Sequence, residues 1–356
     1  MTVGLTPTTP LTPATEDTVR RRGVPALALA PLAAFVWWGA GFLPWIVDLF
    51  GRDILSTNGF SPAALPLLSG SSAGGLVVSA GVGGVLAGLV VTLRRGRGVP
   101  AVLSVVAGTV VALVVAIVQA RAALGDGSGA AGPVDVRVLD GLGALVVVVT
   151  VVGLAVGLGA LLGRPGLGVA LAAVAGLAPM WAYALAVAVT SEVMTSTHAE
   201  PVTRWLGAAV LVVALVVIGV APVVRLIWWV PALVLAWIAA PTATAALYLG
   251  TSVSRGPRSA DAVREYVSAS WQVWRQSAEP EERPLAPWVT AIVLALVVSA
   301  LLALRTRARP EHPAPDRPVP DRMGPADEVA EHAEPPASDT QVIRRDPPPS
   351  DGPAWP

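Results

Sequence analysis

Gly70-Ser71-Ser72-Ala73-Gly74 matches G-x-S-x-G, the pattern that sets a nucleophilic serine on a sharp turn between a strand and a helix. The pattern carries chemistry only with a histidine and an acid in reach. Here it runs straight into an apolar segment, and His198, the one histidine outside the C-terminal stretch, sits in a different polar segment. Small residues easing the start of a packed helix explain the match more simply. Glu192, His198 and Glu200 have the donor types for a metal, but their spacing matches no known ligand set. Asp126, Asp135 and Asp140 lack the dense oxygen pattern of a calcium loop. Asp48 and Asp53 stand where an acid at a membrane face acts on a lipid-linked substrate, yet two acids in one loop are commonplace. The chain has no cysteine, which removes thiol nucleophiles, disulfides and thiolate metal sites together. No phosphate loop, dinucleotide fingerprint or basic–aromatic patch for nucleic acid is present. The expectation is a protein that is not an enzyme and holds no cofactor or metal.

What remains is polar groups and prolines inside apolar segments. Pro179 lies in the middle of one such segment, and Pro231 and Pro241 interrupt another. Proline removes a backbone donor and bends a helix, and interrupted helices line substrate sites in transporters. Tyr183 and Thr242 lie equally far along their segments, about 24 Å from the start as helix. If those helices are neighbours, Pro179, Trp181, Tyr183, Thr242, Thr244 and Tyr248 gather into a polar pocket. The competing reading has each hydroxyl bonding its own helix.

The elements that would position these groups are eight apolar runs without an internal charge: 24–47, 74–93, 99–120, 142–163, 167–190, 205–224, 226–249 and 287–304. Each is roughly 18–25 residues, about 30 Å as helix, the thickness of a bilayer's hydrocarbon core. Hydrophobic residues make up 54% of the chain and charged residues 13%, too little charge to cover a soluble surface of this size. Unbroken runs such as Ala144–Leu162 exclude the alternating segments of a barrel. The fold class is therefore all-α: a polytopic membrane bundle of about eight helices. Between Trp205 and Gly250 the only charge is Arg225, so two helices with Arg225 in the turn fit better than one. Gly84-x-x-x-Gly88, Gly153-x-x-x-Gly157 and Gly159-x-x-x-Gly163 have the spacing that lets helix backbones approach closely.

All 24 basic residues are arginine, which together with the excess of Ala, Gly, Val and Pro resembles high-GC bacterial codon usage. That points to the bacterial cytoplasmic membrane. The run Arg20–Arg22 precedes an apolar stretch too long for a secretory signal, so a retained first span is expected. Arg94, Arg95, Arg97, Arg164, Arg225, Arg305, Arg307 and Arg309 would share its face, which gives N-in/C-in by the positive-inside rule. Outer loops then cover 48–73, 121–141, 191–204 and 250–286. Within the last, Ala260, Val263, Val267, Trp271 and Trp274 fall on one arc, predicting an amphipathic helix near 259–277 on the outer leaflet or on the other helices.

Residues 1–23 and 305–356 have the Pro-rich, polar composition of disordered cytoplasmic tails. Pro347–Pro349 is the kind of run that partner proteins bind as polyproline. Lipid is the expected surrounding, with protein partners reached through the C-terminal tail. Nothing in the sequence supports a particular oligomer. The first functional expectation is a non-catalytic envelope scaffold or accessory protein. The alternative is a facilitator or permease for a small uncharged solute, since no carboxylate or histidine is buried in a span to bind a proton or ion.

Overall fold

The computed structural model describes residues 25–53, 65, 73–94, 98–125, 136–190, 195–255 and 259–307. The two tails beyond 25 and 307, Gly70–Ser72, Glu192, and the loop with Asp126 and Asp135 lie outside the described residues. So do the side chains of Asp53, His198 and Glu200.

The described chain is a helix bundle. Seven helices are long and apolar enough to cross a membrane, and a bent pair makes up to eight. Unbroken apolar composition sets the helices, since a backbone in lipid must satisfy its own polar groups. In chain order they are α1 (Leu29–Phe35), α2 (Leu43–Asp53), α3 (Ala73–Leu89), α4 (Val99–Gly125), α5 (Val136–Leu158), α6 (Arg164–Val189), α7 (Thr195–Ile218), α8 (Trp229–Arg255), α9 (Ala260–Ala278) and α10 (Leu285–Arg307).

The first span is not the single helix expected over 24–47. Helical turns run from Ala26 to Ala40, with a π-helical turn over Val36–Ala40, and the chain then bends by 63° into Leu43–Phe50. Pro44 has no N–H to return to the Ala40 carbonyl, so the helix breaks there. Gly41 lets the bend lie directly on α3, because a methyl on it would sit 2.7 Å from Gly83 Cα and from the Ser79 oxygen. The straight part rises about 22 Å and the bent part adds about 5 Å along the same axis, close to a hydrocarbon core. Trp37 is fully buried in the π-turn and donates its indole N–H to Thr150 Oγ1 at 3.1 Å, tying the turn to α5.

Two of the three glycine motifs pack on each other. A methyl on Gly84 would meet the Thr150 oxygen at 2.7 Å, and one on Gly157 the Val85 oxygen at 2.2 Å. Gly84 faces Gly153 and Gly88 faces Gly157, so α3 and α5 run parallel with their backbones in contact. The third spacing has a different use: Gly163 takes φ 90° and ends the α5 segment, while a methyl on Gly159 would meet nothing within 4 Å. Gly168 against Ala214 and Ile218, and Gly207 against Ala175 and Pro179, set α6 antiparallel to α7. Gly74 at the start of α3 meets Leu247 late in α8, so these two are antiparallel. The directions alternate along the chain as successive crossings require.

Two large clusters make up most of the core, and two smaller ones lie between α3, α6 and α8. Leu29, Trp37, Phe42, Leu76, Val105 and Val146 join the first helices, and Leu211, Leu215, Ile218 and Trp229 join α6, α7, α8 and α10 around small alanines. Arg225 does fall between two helices, in a 3-10 turn over Val223–Trp228, but α7 already ends at Ile218, ahead of Pro222. Gly219, at φ 75°, makes that stop. Pro231 and Pro241 do not interrupt α8, which is helical throughout Trp229–Arg255. Pro231 sits in the first turn, where no N–H is needed.

Candidate functional site

The amphipathic helix expected near 259–277 is α9, and Ser259 caps it by accepting from the Ala262 N–H at 3.2 Å. It runs back along α8. Ser270 Oγ donates to the Ala245 oxygen at 2.8 Å, Trp274 Nε1 donates to Thr242 Oγ1 at 3.2 Å, and Trp237 Nε1 donates to the Ala278 oxygen at 2.9 Å. Those pairs place α9 antiparallel to α8. Its packed face centres on Ser270 and takes in Trp274, while the rest of the apolar arc points away from the bundle, with Val267 52% and Trp271 58% exposed. Polar Ser270 packs because it has a carbonyl to bond, and the aliphatic and indole surfaces suit lipid.

Both α7 and α8 pack on α6 but touch each other little, so a gap opens between them. The end of α9 and the turn into α10 close its front. The result is a cavity of about 910 Å³. Its back wall is Ala175, Gly176, Pro179, Met180 and Tyr183 of α6; α7 supplies Thr203, Arg204, Gly207, Ala208 and Leu211. From α8 come Ala236, Ala240, Thr244 and Leu247, and the front is Val273, Gln276, Ser277, Glu282, Arg283, Pro284, Pro287 and Trp288. Toward Ile218 and Trp229 the four helices close on one another through Ala172, Ala214, Ala232, Ala291 and Ala295.

Of the six residues singled out in the sequence, Pro179, Tyr183 and Thr244 line this cavity. Trp181 does not: its indole N–H donates to the Gly41 oxygen at 3.0 Å and ties α6 to the bend of the first span. Thr242 faces α9, where it accepts from Trp274 and donates to the Ile238 oxygen at 2.8 Å. Tyr248 is 40% exposed and outside the lining. Thr244 does bond its own helix, to the Ala240 oxygen at 3.1 Å, while still bordering the cavity.

Arg283 has the most developed surroundings. It lies in the turn between α9 and α10, outside the spanning helices. Its Nη1 donates to the Trp237 oxygen at 2.8 Å and its Nε to the Ser277 oxygen at 2.9 Å, with the guanidinium 4.5 Å from the Trp237 ring centroid. Trp288 meets the same indole edge-on, centroids 5.0 Å apart. The Trp237 carbonyl is available because Pro241, four residues on, has no N–H to donate to it. Half-burial lowers the Arg283 pKa from the usual guanidinium value, yet the group stays charged. Both of its hydrogen bonds go to neutral carbonyls, and no carboxylate among the described residues forms an ion pair with it.

Pro179 acts similarly on α6 by freeing the Ala175 carbonyl. Gly207 accommodates that turn: a methyl there would lie 2.7 Å from Pro179 Cγ and 3.1 Å from the Ala175 oxygen. The sequence reading did not single out Arg204, Glu282, Arg283 or Gly207. One signal was available, since a proline inside an apolar helix needs a donor from elsewhere for its orphaned carbonyl. Set against protein-family models, curated proteins and solved structures, the chain matches none.

Proposed function

We propose that this multi-pass membrane protein binds a solute in the cavity between α6, α7 and α8 and acts as a facilitator rather than as a scaffold. The observation that carries the reading is the cavity itself. At about 910 Å³ it is within the size of ligand sites, and it combines apolar walls with converging hydroxyl, carboxylate and guanidinium groups. It is bordered by Pro179 inside α6, where the missing backbone bond lets a helix bend and change the width of a gap. The closed end is lined with alanine, whose side chain has no rotamers to rearrange when helices shift. A scaffold requires no such space.

Binding without covalent chemistry is part of the same proposal, as is placement in the bacterial cytoplasmic membrane with both ends cytoplasmic. The arginine distribution supports that orientation, which puts the cavity nearer the outer face. Protein partners, if recruited, would be reached through the Pro-rich C-terminal segment.

Native cysteine is absent, so single cysteines test the reading without background. Cysteine at Tyr183 or Thr244 is expected to react with a small water-soluble thiol reagent in native membranes. Cysteine at Ala214, which is fully buried, is expected not to. Proteoliposome flux of the solute that protects Tyr183→Cys would then establish passage. Unreactive cysteines at both Tyr183 and Thr244, with Ser268→Cys reacting freely, would return the scaffold to first place.

A further inference from the structure

We propose that the cavity takes an amphipathic anion, its acidic group held by Arg283 and Arg204 and its apolar body against Leu211 and Trp288. This rests on the reading of the cavity as a ligand site and names the class of ligand. The sequence suggested an uncharged solute because no span carries an internal charge. The charges at this cavity instead come from a turn and from the end of a span, where such an argument does not reach.

Among the described residues the lining holds the guanidiniums of Arg283 and of Arg204, which has a partner of its own, and the carboxylate of Glu282. Arg283 is the more constrained. Its Nε and one Nη1 proton are committed to backbone carbonyls, and a guanidinium has five N–H groups in a fixed fork. The remaining donors belong to a half-buried cation with which no carboxylate among the described residues forms an ion pair. A half-buried cation whose bonds all go to neutral carbonyls has lost part of its hydration, and an anion that brings its own charge to the fork offsets that loss. The indole of Trp237 beneath Arg283, and Trp288 beside it, hold the fork in one orientation.

The lining also has an apolar part, with Leu211 and the Ala208 and Ala236 methyls, and the volume exceeds what an inorganic anion needs. That selects a ligand with an apolar body over free phosphate. A short alkyl phosphate or carboxylate from water and the head group of an acidic phospholipid present the same chemistry.

The test uses the full chain carrying Tyr183→Cys and measures its rate of maleimide labelling in an uncharged detergent. Octyl phosphate is expected to slow labelling at about tenfold lower concentration than uncharged octyl glucoside, the size of one charge-assisted bond. Arg204→Gln should narrow that gap and Arg204→Lys should keep most of it. Leu211→Trp, which fills the apolar end, should weaken protection by both compounds. In nanodiscs, slower labelling in phosphatidylglycerol than in phosphatidylcholine identifies lipid as the occupant. Protection by octyl phosphate in phosphatidylcholine discs identifies a soluble anion. Equal protection by octyl phosphate and octyl glucoside, both lost in Leu211→Trp, overturns the anion while leaving the cavity reading intact. No protection by either compound, with no effect of Leu211→Trp, overturns both.

Discussion

Arg283 shows how one residue can answer a defect created far away in the chain. Pro241 takes a donor out of α8, the Trp237 carbonyl is left over, and a guanidinium from the α9–α10 turn fills the vacancy at 2.8 Å. A buried carbonyl without a donor costs about 1–3 kcal/mol. Arg283→Met should therefore destabilise the detergent-solubilised protein by about 1–3 kcal/mol, read as a lower unfolding temperature. Pro241→Ala restores an N–H that can reach the same carbonyl. In that background Arg283→Met should cost clearly less, leaving mainly the loss of contact with the Trp237 ring and the Ser277 oxygen. Equal costs in the two backgrounds would show that the proline and the arginine are not coupled.

Elements meet here mostly through what their residues lack. The pair α3 and α5 touch backbone to backbone because Gly84, Gly88, Gly153 and Gly157 present no side chain to keep them apart, and in lipid such close packing replaces the hydrophobic effect between helices. Gly157→Ala places a methyl 2.2 Å from the Val85 oxygen, which is backbone and cannot turn aside. A loss of about 1–3 kcal/mol is expected, the usual cost of overpacking, read as a lower unfolding temperature. Gly159→Ala meets open space, and should be neutral or stabilise by about 0.4–1 kcal/mol, since alanine narrows the unfolded ensemble. If Gly159→Ala proved as damaging as Gly157→Ala, the contact between these two helices would be misassigned. The motif spacing is the same at both glycines. Only the facing helix makes one position sensitive and the other tolerant.

At the scale of the whole molecule, the alternating helix directions and the broken first span together make up to eight crossings. With an even number, both ends of the bundle lie on one side. The arginine-rich connections predict that side to be cytoplasmic. Ser268 is exposed on α9, so Ser268→Cys should label with an impermeant maleimide from outside intact cells. A cysteine at Gly96, between Arg95 and Arg97, should label only after the membrane is opened. The reverse pattern would invert the orientation, and labelling of both from outside would break the count of crossings. The cavity stands toward the α9 end of the bundle, so the same experiment also decides which compartment it opens to.

Much of this architecture was legible in the chain. Whether a segment spans a membrane depends on its own composition and length, which is why seven of the eight runs appear as spanning helices near their expected limits. The break in the first run was not read from the sequence, where 24–47 is a single apolar run, although Gly39-Ala40-Gly41 and Pro44 are the residues that make it. What the sequence could not settle is rotation and neighbour. Thr242 and Thr244 are two residues apart, about 200° around a helix, so only one of them can face the gap beside α6. The structure gives that place to Thr244 and turns Thr242 to Trp274 of α9. Trp181 and Tyr183 divide in the same way, one toward Gly41 and the other toward the cavity. An apolar helix with polar groups at several angles has no sequence signal for which angle faces a partner, because lipid and protein interior are alike to its side chains. Helix identity was therefore local information. The convergence of Pro179, Tyr183, Thr244, Arg204 and Arg283 on one cavity was decided only when α7 and α8 packed on α6 and the turn between α9 and α10 came over them.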